Sequence, residues 1–499
     1  MDLFNTLLCL CITWVIIQAF RIVRSSTATP KKLPPGPKPF PIIGNLLDMG
    51  DKPHKSLAML AQIYGPIMSL KLGQVTTIII SSAQMAKEVL RTHDQQLSSR
   101  TIPDALRAYK HDELGMAWMP VSTQWRKLRK ICNGQLFSNS ALNDNQDVRR
   151  MKLQELLAET HQSSLTGEAV DIGRAAVKTT LNLLSNTVFS LDLANSDSDM
   201  AGEFKEIAGD IMREVGKPNL ADYFPLLKKI DPQGARRRLT VHFSKLIDIF
   251  DRLISRRLQL RKVSGYHATK NDMLDTLLNI SDDNSTELDK TTIESLFVDL
   301  FVAGTETTAT TLEWAMAELL QNPEALSKAK EELKQVIEKG KPIEESDIAR
   351  LPYLQAIVKE KFRLHPAIPF LLPRKADADV EINGYVIPEG AQLLVNAWAI
   401  GRDPSLWENA SSFMPERFLG SDIDVKGQNF ELVPFGGGRR ICPGYPLAMR
   451  MLHLMLGSLI HNFDWKLEDG VKIEDVSMEN KISLTSQIAH PLRAIPIPV

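Results

Sequence analysis

The segment FGGGRRICPG, Phe435 to Gly444, constrains the fold and chemistry of this chain more than any other part of its sequence. Cys442 follows three glycines and two arginines, and an apolar helical pattern begins directly after it at Tyr445. The sulfur is therefore predicted near a helix N-terminus, where a thiolate is favoured. The glycines allow backbone and a large flat ligand to approach closely, and Arg440 can neutralise acidic groups on that ligand.

Other roles for Cys442 are less consistent with this pattern. A phosphate-binding loop would end in Gly-Lys-Ser/Thr, and a zinc site needs several Cys or His ligands, whereas no other Cys or His lies within ten residues. An unreactive buried cysteine would not need the glycines and arginines around it. A cysteine hydrolase would take its His from a distant part of the chain, which the sequence leaves open.

The segment matches the haem-binding signature F-x-x-G-x-R-x-C-x-G, and the chain thereby resembles the cytochrome P-450 family. The matching residues are Phe435, Gly438, Arg440, Cys442 and Gly444. This resemblance implies a mainly α fold, a large helical domain with small β-sheets. It also implies that the Cys442 thiolate is the axial ligand of haem b, iron protoporphyrin IX, and that the other four residues help to bind this cofactor.

A second motif lies in the helical pattern from Leu300 to Leu320, which Gly304 and several threonines weaken. Thr307 can hydrogen-bond the carbonyl of Ala303 and open a local bulge. Considered alone, Glu306 and Thr307 could be an exposed acid beside a threonine that only fills space. The stretch A-G-x-E-T-T is, however, similar to the family's A/G-G-x-D/E-T motif. The resemblance implies that Glu306 and Thr307 are catalytic and deliver protons during dioxygen activation.

A third motif is E-x-x-R, at Glu360 and Arg363. Residues three apart on a helix can pair, and an ordinary surface ion pair of this kind would contribute little. The family's E-x-x-R motif, with Arg417 from PERF, implies instead a buried structural triad that holds the core around the cysteine loop.

The stretch WRKLRK places Trp125 and Arg129 on one helical face and turns Lys127 and Lys130 away. A solvated basic helix is the simpler interpretation. By resemblance to the family's W-x-x-x-R, the first two residues contact a haem propionate, and the lysines belong to a basic surface for an acidic electron donor. The residues implied to contact propionates are Trp125, Arg129, Arg374 and Arg440.

The N-terminal run LFNTLLCLCITWVIIQAF, Leu3 to Phe20, is uncharged and is followed by basic residues. A cleaved signal peptide would carry its positive charge before the apolar core, where only Asp2 stands. The pattern therefore predicts a single-pass anchor at residues 1–22, with the rest cytosolic and, by resemblance, at the endoplasmic reticulum membrane. A basic, proline-rich linker at residues 23–45 is predicted to be a stiff spacer or else a surface loop. The catalytic domain is predicted at residues 46–499.

Composition and motifs limit the kinds of partner that we expect for this chain. The chain has 59 basic and 60 acidic residues, which gives no reason to expect nucleic acid. Its four cysteines cannot form a disulfide framework, which is typical of a reducing compartment. It has no Rossmann glycine motif or other nucleotide-binding site. The chain is therefore expected to need a separate electron donor. The resemblance implies dioxygen as co-substrate and electrons from NADPH through NADPH-cytochrome P-450 reductase, with cytochrome b5 as a further donor.

Two β-hairpins are predicted within a mainly helical body. Gly73-Gln74 interrupts the β-branched stretch from Pro66 to Ser82, and Asn383-Gly384 suits a type I′ turn. Helical spacing recurs elsewhere, for example from Met151 and from Pro323.

The resemblance extends from Leu33 to the C-terminus and is closest to plant microsomal members, in particular the geraniol 8-hydroxylase group. It implies hydroxylation of a lipophilic plant secondary metabolite, a terpenoid. A phenolic, alkaloid or diterpenoid substrate is the alternative within the same chemistry. A haem-thiolate isomerase or dehydratase that needs no dioxygen, or a non-catalytic haem protein, is the alternative class.

Segment by segment, the resemblance also implies a mostly apolar substrate pocket, although each residue is as consistent with core packing. The pocket residues are Ala117, Trp118, Met119, Ile211, Met212, Phe297, Phe301, Ala303, Ile368, Phe370, Leu371 and Ile482. Two positions depart from common family patterns: Ala367 replaces the second proline of His-Pro-Pro, and Ile482 replaces an aromatic residue. Both border the pocket in the family, so the specificity of this chain is expected to differ.

Overall fold

The computed structural model describes residue 13 and residues 32–194, 200–262, 272–283, 288–468 and 478–499. The predicted anchor at residues 1–22 therefore lies outside the described residues, apart from Thr13. Among the described residues, no helix has both the length and the apolar character that crossing a membrane requires.

Helices dominate the described chain, as the sequence predicted, and several shorter 3₁₀ turns join them. The α-helices are α1 Pro53–Tyr64, α2 Ala83–Lys87, α3 His111–Leu114, α4 Thr123–Ile131, α5 Asn139–Asp144, α6 Gln146–Thr166, α7 Ile172–Phe189, α8 Met200–Gly216, α9 Leu220–Tyr223, α10 Ala235–Arg261, α11 Met273–Asp283, α12 Lys290–Gln321, α13 Pro323–Val336, α14 Pro352–Leu364, α15 Ala397–Ile400 and α16 Tyr445–Asn462.

The strands form small sheets. They are β1 Ile67–Leu72, β2 Val75–Ile80, β3 Ser99–Arg100, β4 Val170–Asp171, β5 Arg374–Lys375, β6 Val380–Ile382, β7 Tyr385–Ile387, β8 Gln392–Val395, β9 Phe463–Leu467, β10 Asn480–Ile482, β11 Ser486–Ile488 and β12 Arg493–Pro498. The largest sheet has the order β1-β2-β8-β5-β3, with β2 and β8 parallel. The others are β4-β12-β9 and the hairpins β6-β7 and β10-β11.

Both predicted hairpins are confirmed. Strands β1 and β2 pair antiparallel around Gly73, which has a φ of 59°. Strands β6 and β7 pair around Asn383 and Gly384, whose φ values of 53° and 74° are what a type I′ turn requires.

The long helix α12 runs through the centre of the fold. Its N-cap Asp289 accepts a hydrogen bond from the Thr292 amide at 2.8 Å. Within the helix, threonine hydroxyls donate to the carbonyl four residues earlier, for example Thr307 to Ala303 at 2.6 Å, which satisfies these polar groups in an apolar setting. The helix stays continuous through Thr307, so the bulge that the sequence suggested is absent from this helix.

Two apolar clusters meet along α12. Its C-terminal half packs with α13, α14 and α16, and its N-terminal half packs with α7, α8 and α10. Gly304 allows α7 to approach, because a Cβ at this position would lie 2.8 Å from a methyl group of Leu184. Leu447, in the first turn of α16, packs against both clusters. The cysteine loop is thus anchored where the two halves of the helical body join.

Residues 32–45, predicted as a spacer or a surface loop, pack against the largest sheet. The amide of Ser69 donates to the Pro35 carbonyl at 2.8 Å, and its hydroxyl donates to the Pro34 carbonyl at 2.6 Å. A Cβ at Gly36 would lie 1.9 Å from the Ser69 carbonyl oxygen. This part of the predicted linker is therefore joined to the globular body, which begins before residue 46.

Candidate active site

The cysteine loop is closed on itself and leads directly into α16. The Cys442 amide donates to the Phe435 carbonyl at 3.0 Å, and the helix begins at Tyr445 with Gly444 as its N-cap. Burial raises the pKa of the Cys442 thiol, whereas the backbone amides of Gly444 and Tyr445 and the charge of Arg129 lower it. The sulfur therefore has amide donors and a positive charge beside it, which is the environment that a helix N-terminus offers a thiolate.

The glycines before the cysteine serve the loop backbone. Gly436 and Gly438 have φ values of 70° and 66°, a region that favours glycine. A Cβ at Gly438 would lie 2.1 Å from the Leu90 carbonyl oxygen. The sequence predicts that these glycines let backbone approach the Cys442 sulfur closely. In the structure, the amides that reach it belong to Gly444 and Tyr445.

Two interior elements retain accessible surface. Cys442 lies deep in the protein, yet part of its surface is accessible. In the stretch 300–320 of α12, only Ala303, Gly304 and Thr307 are accessible, and their spacing places them on one face of the helix. Accessible surface on such deep elements indicates an interior cavity, with the cysteine loop and this face of α12 as two of its walls.

A cluster of buried arginines lies beside the cysteine loop. Arg374 donates to Asp94 and to the Gly437 carbonyl, each at 3.1 Å. Arg440 donates to the Ser98 and Met119 carbonyls at 3.0 and 2.5 Å. Its pKa is lowered to about 10, first by burial and then by the charges of Arg374 and Arg129. Positive charge in this cluster is therefore incompletely compensated.

Arg100 belongs to the same cluster, although the sequence gave no motif that would single it out. It donates to the Ala117 and Leu372 carbonyls at 3.3 and 2.8 Å. Burial and the charges of Arg374 and Arg440 lower its pKa well below the usual range. Only the tertiary arrangement reveals it, because β3 brings Arg100 next to Arg374 through the β3-β5 pairing.

Trp125 and Arg129 project from α4 towards this cluster. The indole Nε1 of Trp125 donates to the Met116 carbonyl at 3.1 Å, and the guanidinium of Arg440 lies 4.8 Å from the indole ring centroid. Arg129 donates to the Ile441 carbonyl at 2.5 Å, next to the cysteine. The structure thus brings together the residues predicted to contact propionates.

These residues fit haem. A flat macrocycle with two carboxylates would supply the negative charge that the cluster of Arg100, Arg374 and Arg440 lacks, because buried cations are stable only when they are paired. The Cys442 sulfur borders the same cavity. The charge of the cluster and the position of the sulfur are both accounted for by one cofactor.

We expect Arg100→Leu to release haem about 10-fold faster or more, because hydrogen bonds to charged groups contribute roughly 1.5–3 kcal/mol. The measurement is haem transfer from the purified protein to an excess of an apo-haem-protein acceptor. Arg91→Leu, which removes an exposed arginine nearby in the chain, is the matched control and should leave the rate unchanged. Equal rates for the two variants would contradict a role for Arg100 in holding carboxylates.

Glu306 and Thr307 are neighbours in the chain but point in different directions. Thr307 borders the cavity. Glu306 is 4% exposed and accepts a hydrogen bond from the side chain of Gln487 on β11. Burial raises the pKa of Glu306, and the hydrogen bond from Gln487 and the charge of Lys205 oppose this. The acid is therefore held behind the hydroxyl rather than beside it. Gln487, which has no sequence signature, sets this position.

The predicted structural triad is brought into one buried network. The guanidinium of Arg363 makes two hydrogen bonds to the Glu360 carboxylate, both at 2.7 Å, and Arg417 makes another at 3.0 Å. Arg363 also donates to the carbonyls of Gly401, Ala410 and Ser412. The network joins α14 to the segment that precedes the cysteine loop.

Several predicted pocket residues lie in segments that the structure ties down near the cavity. The Ala117 amide donates to Asp299 on α12 at 3.1 Å. The Met212 carbonyl accepts from the Leu484 amide at 3.1 Å, which fixes the C-terminal hairpin against α8. Trp118, Met119 and Ile211 are buried in the apolar cluster around the N-terminal half of α12. Ala303 is exposed on the cavity face.

Phe297 and Phe301 are the most deeply buried of the predicted pocket residues whose side chains the structure describes. Both are fully buried and pack with Phe189 and Phe250, with ring centroids between 5.0 and 5.7 Å apart. Neither has surface to offer a substrate, so the structure favours the core-packing interpretation for both.

The segment after α14 reaches the C-terminal hairpin. The Ser486 amide donates to the Ala367 carbonyl at 2.9 Å, and Ser486 pairs with Ile482. The two departures from the family pattern are thus joined through Ser486, although the side chain of Ile482 lies outside what the structure describes.

Three further predicted pocket residues follow in this segment. Ile368 is partly buried. Phe370 packs on the cluster around β1, and Leu371 packs on the cluster around β8. Leu371 also lies near the cysteine loop, because a Cβ built at Gly436 would be 3.8 Å from its side chain.

Comparison with known proteins agrees with this site. A cytochrome P450 family model matches residues 34–490. The geraniol 8-hydroxylase of Catharanthus roseus is 53% identical over 496 residues, covering 99% of both chains. The drimenol monooxygenase of Persicaria hydropiper is 51% identical over 496 residues, 99% of this chain and 97% of that enzyme. The 7-ethoxycoumarin O-deethylase of Helianthus tuberosus is 52% identical over 470 residues, 94% of this chain and 95% of that enzyme.

Proposed function

Because this chain belongs to the cytochrome P450 family and is a P450 monooxygenase, we propose that it hydroxylates a terpenoid alcohol of about the size of geraniol. The observation that carries the proposal is the 53% identity to a geraniol 8-hydroxylase over 99% of both chains. The phenol ether named for one relative keeps a phenolic substrate as the second candidate.

Haem, when bound with a cysteine thiolate, supplies the dioxygen chemistry of the family. Cys442 would hold it through its sulfur. The two carboxylates would be held by Trp125, Arg129, Arg374, Arg440 and Arg100. The signature residues Phe435, Gly438 and Gly444 shape the loop. Phe435 packs edge-on against Phe362 on α14, with centroids 5.1 Å apart, and thereby supports the loop from behind.

Thr307 is the polar group that α12 presents to the cavity. Its hydroxyl donates a hydrogen bond to the Ala303 carbonyl at 2.6 Å, which leaves the oxygen lone pairs available to accept a hydrogen bond. We propose that, after the Glu306 carboxyl group turns away from Gln487, the hydroxyl takes a proton from Glu306 and gives up its own proton to the cavity. Burial keeps bulk water from the acid, so proton delivery depends on side chains.

The walls described for the cavity are mainly apolar. Ala303 has a small apolar side chain with accessible surface, and Gly304 next to it has no side chain. Such a surface orients a lipophilic substrate by shape and excludes water from the reacting carbon. This match between an apolar cavity and a terpenoid carbon chain supports the proposal.

We propose that electrons arrive from NADPH-cytochrome P-450 reductase, with cytochrome b5 as a further donor, at the face where α4 is exposed. Arg129 of this helix lies beside Cys442. Lys127 and Lys130 of the same helix are exposed and provide positive charge for an acidic partner. The donor surface would therefore lie directly outside the cysteine loop.

We also propose that the protein is attached to the endoplasmic reticulum membrane by residues 1–22 and by an apolar surface of the folded body. Leu47, Leu226 and Ile230 are exposed. The turn between β1 and β2 joins the segments that carry these residues. The Gly73 amide donates to the Ile43 carbonyl, and the Gln74 amide donates to the Tyr223 carbonyl.

Flotation with phospholipid vesicles tests this attachment in a chain that starts at residue 32. We expect the double variant Leu226→Asp, Ile230→Asp to lose most vesicle binding, because charge at a buried interface is costly. Leu165→Asp, at another exposed leucine on α6, should bind like the parent chain. Equal flotation of all three proteins would contradict the proposed surface.

The substrate proposal is tested with full-length protein in microsomes, a plant reductase, NADPH and geraniol. We expect NADPH-dependent 8-hydroxygeraniol from protein whose carbon monoxide difference spectrum shows full haem loading. No product from loaded protein would contradict geraniol as a substrate and redirect the search to larger terpenoids and phenols.

The same assay separates the alternative classes. Turnover that persists without NADPH would indicate an isomerase or dehydratase. A loaded protein that binds ligands but consumes no NADPH with any substrate would indicate a non-catalytic haem protein. We expect neither result, because Thr307 and the buried acid behind it provide the proton donors that monooxygenation uses.

A further inference from the structure

Asp299 is a buried acid on α12 whose role neither the haem-binding residues nor the structural triad explains. It precedes Ala303 by four residues, so its side chain leaves the helix on the face that borders the cavity. Its Oδ1 lies 2.9 Å from the Nε2 of His111, the first residue of α3, and its Oδ2 accepts a hydrogen bond from the Ala117 amide at 3.1 Å. Both carboxylate oxygens therefore bind the chain that leads from α3 to α4.

His111 is held in the orientation that this contact needs. Its side chain is 4% exposed, and its ring packs on Phe243 of α10 with centroids 4.8 Å apart. The Gly115 amide donates to the His111 carbonyl at 2.9 Å, and a Cβ at Gly115 would lie 2.7 Å from the His111 Nε2. The ring is therefore enclosed by α10, α12 and the turn after α3, and it reaches Asp299 because residue 115 has no side chain.

Residues 116–119, which we call the wall segment, are held from the other side by arginines. Arg100 donates to the Ala117 carbonyl at 3.3 Å, and Arg440 donates to the Met116 and Met119 carbonyls at 3.3 and 2.5 Å. The amide of Ala117 thus binds a carboxylate while its carbonyl binds a guanidinium. Hydrogen bonds to charged groups are stronger than those between neutral groups, so the wall segment is firmly fixed.

The wall segment spans the distance between two sides of the cavity. It meets the cavity face of α12 at Asp299 and the arginine cluster beside the cysteine loop at Arg100 and Arg440. Ala117 is the residue of the segment that retains accessible surface, whereas the other three are buried. The position of this segment therefore sets the space that a substrate can occupy between these two sides.

The backbone just before His111 is strained. Tyr109 and Lys110 have φ values of 52° and 54°, although neither is glycine. Such residues adopt this conformation rarely, and it persists where surrounding contacts maintain it. The contacts of Asp299 with His111 and Ala117 begin directly after these two residues, so the loss of Asp299 would let the strained chain relax and move the wall segment.

We propose that Asp299, through His111 and Ala117, is a positioning residue that fixes the wall segment and thereby determines which carbon of the substrate is oxidised. The inference rests on the proposed hydroxylation of a lipophilic substrate in this cavity. An apolar substrate offers few polar groups to orient it, so its orientation depends on where the walls lie. A fixed wall selects one orientation, and a wall that moves admits others.

Asp299→Leu tests the proposal, because leucine has a similar size but accepts no hydrogen bond. In holoenzyme with geraniol, we expect the ratio of the main hydroxylated product to the other isomers to fall about 10-fold, since small displacements of a positioned substrate have effects of this order or larger. NADPH consumption should continue, because the variant leaves the cysteine loop and the exposed face of α4 unchanged. The measurement is the isomer distribution by gas chromatography.

Asp299→Asn should restore the isomer ratio of the parent. Its amide oxygen can accept from Ala117, and its amide nitrogen can donate to the His111 Nε2 once the imidazole carries its proton on the other nitrogen. Glu294→Leu is the matched control, since it also replaces a buried acid of α12 by leucine. Glu294 pairs with Lys290 instead, at 3.9 Å, and its side chain is 11% exposed, close to the 10% of Asp299. This variant should keep the isomer ratio.

Hydrogen exchange gives a readout that needs neither substrate nor turnover. In substrate-free holoprotein, we expect the peptide that covers the wall segment to exchange about 10-fold faster or more in Asp299→Leu, because its amide loses a hydrogen bond to a charged group. Asp299→Asn and Glu294→Leu should exchange like the parent. If Asp299→Leu does not fold, His111→Phe makes the same test, since it keeps the ring packing on Phe243 but loses the contact with Asp299.

Unchanged exchange of the wall segment in Asp299→Leu, or in His111→Phe, would overturn the proposal. Faster exchange with an unchanged isomer ratio would also overturn it, because the wall would then move without affecting the product. If geraniol is not a substrate, the exchange experiment is unaffected. Failure of the proposed function is therefore distinguishable from failure of the positioning role.

Discussion

Cys442→Ala is expected to abolish NADPH-dependent product formation and the thiolate-type carbon monoxide spectrum of the protein. The sulfur has two amide donors and Arg129 beside it and borders the cavity. The other cysteine that the described part of the chain contains, Cys132, cannot replace it. Burial raises the pKa of Cys132 to about 12, so it stays a thiol at neutral pH. The measurements are the difference spectrum and product analysis.

Cys132→Ala is the control, since it also removes a cysteine close to the site and should keep the spectrum and the activity. Monooxygenase activity in Cys442→Ala, at any level above the background without protein, would overturn the assignment of Cys442 as the thiolate ligand. Loss in both variants would point to a general effect of cysteine removal on folding.

Arg363→Leu is expected to destabilise the fold strongly. It leaves the fully buried Glu360 carboxylate without its bidentate partner and also removes the donor to three backbone carbonyls. Removing one partner of a buried pair costs about 3–5 kcal/mol. This is a large part of the roughly 5–15 kcal/mol by which proteins of ordinary stability stay folded. The measurement is the midpoint of urea unfolding.

Arg363→Lys should lie between the variant and the parent, because an ammonium group keeps the charge but not the fork of donors. Lys341→Ala removes an exposed partner of Glu338 and should have no measurable effect, because exposed ion pairs contribute little. A midpoint for Arg363→Leu equal to that of Lys341→Ala would show that the triad does not hold the structure together.

The local features of the fold were predictable from the sequence because they depend on residues close together in the chain. Both hairpin turns follow from glycine and asparagine at positions that need a positive φ. The start of α16 beside Cys442 follows from the apolar periodicity after Pro443 and Gly444. The pairing of Glu360 with Arg363 follows from their spacing on one helix.

Features that join distant segments were not predictable in this way. Arg100 enters the arginine cluster because β3 pairs with β5, some 270 residues later in the chain. Gln487 accounts for the position of Glu306 by a hydrogen bond from the C-terminal hairpin. No motif marks any of these contacts, since they depend on how the helices and the C-terminal hairpin pack.

Phe297 and Phe301 are two residues whose surroundings the sequence did not predict. Their position on α12 suggested the pocket, but an amphipathic pattern gives the direction of a side chain only relative to its own helix. Packing against Phe189 and Phe250 decided that they belong to the core. By itself, the sequence determined the family and the local elements and predicted the cysteine ligand, because signatures and periodicity are properties of short segments. Tertiary structure alone decided which side chains reach the cavity and where buried charge meets its partners, because these depend on contacts between segments far apart in the chain.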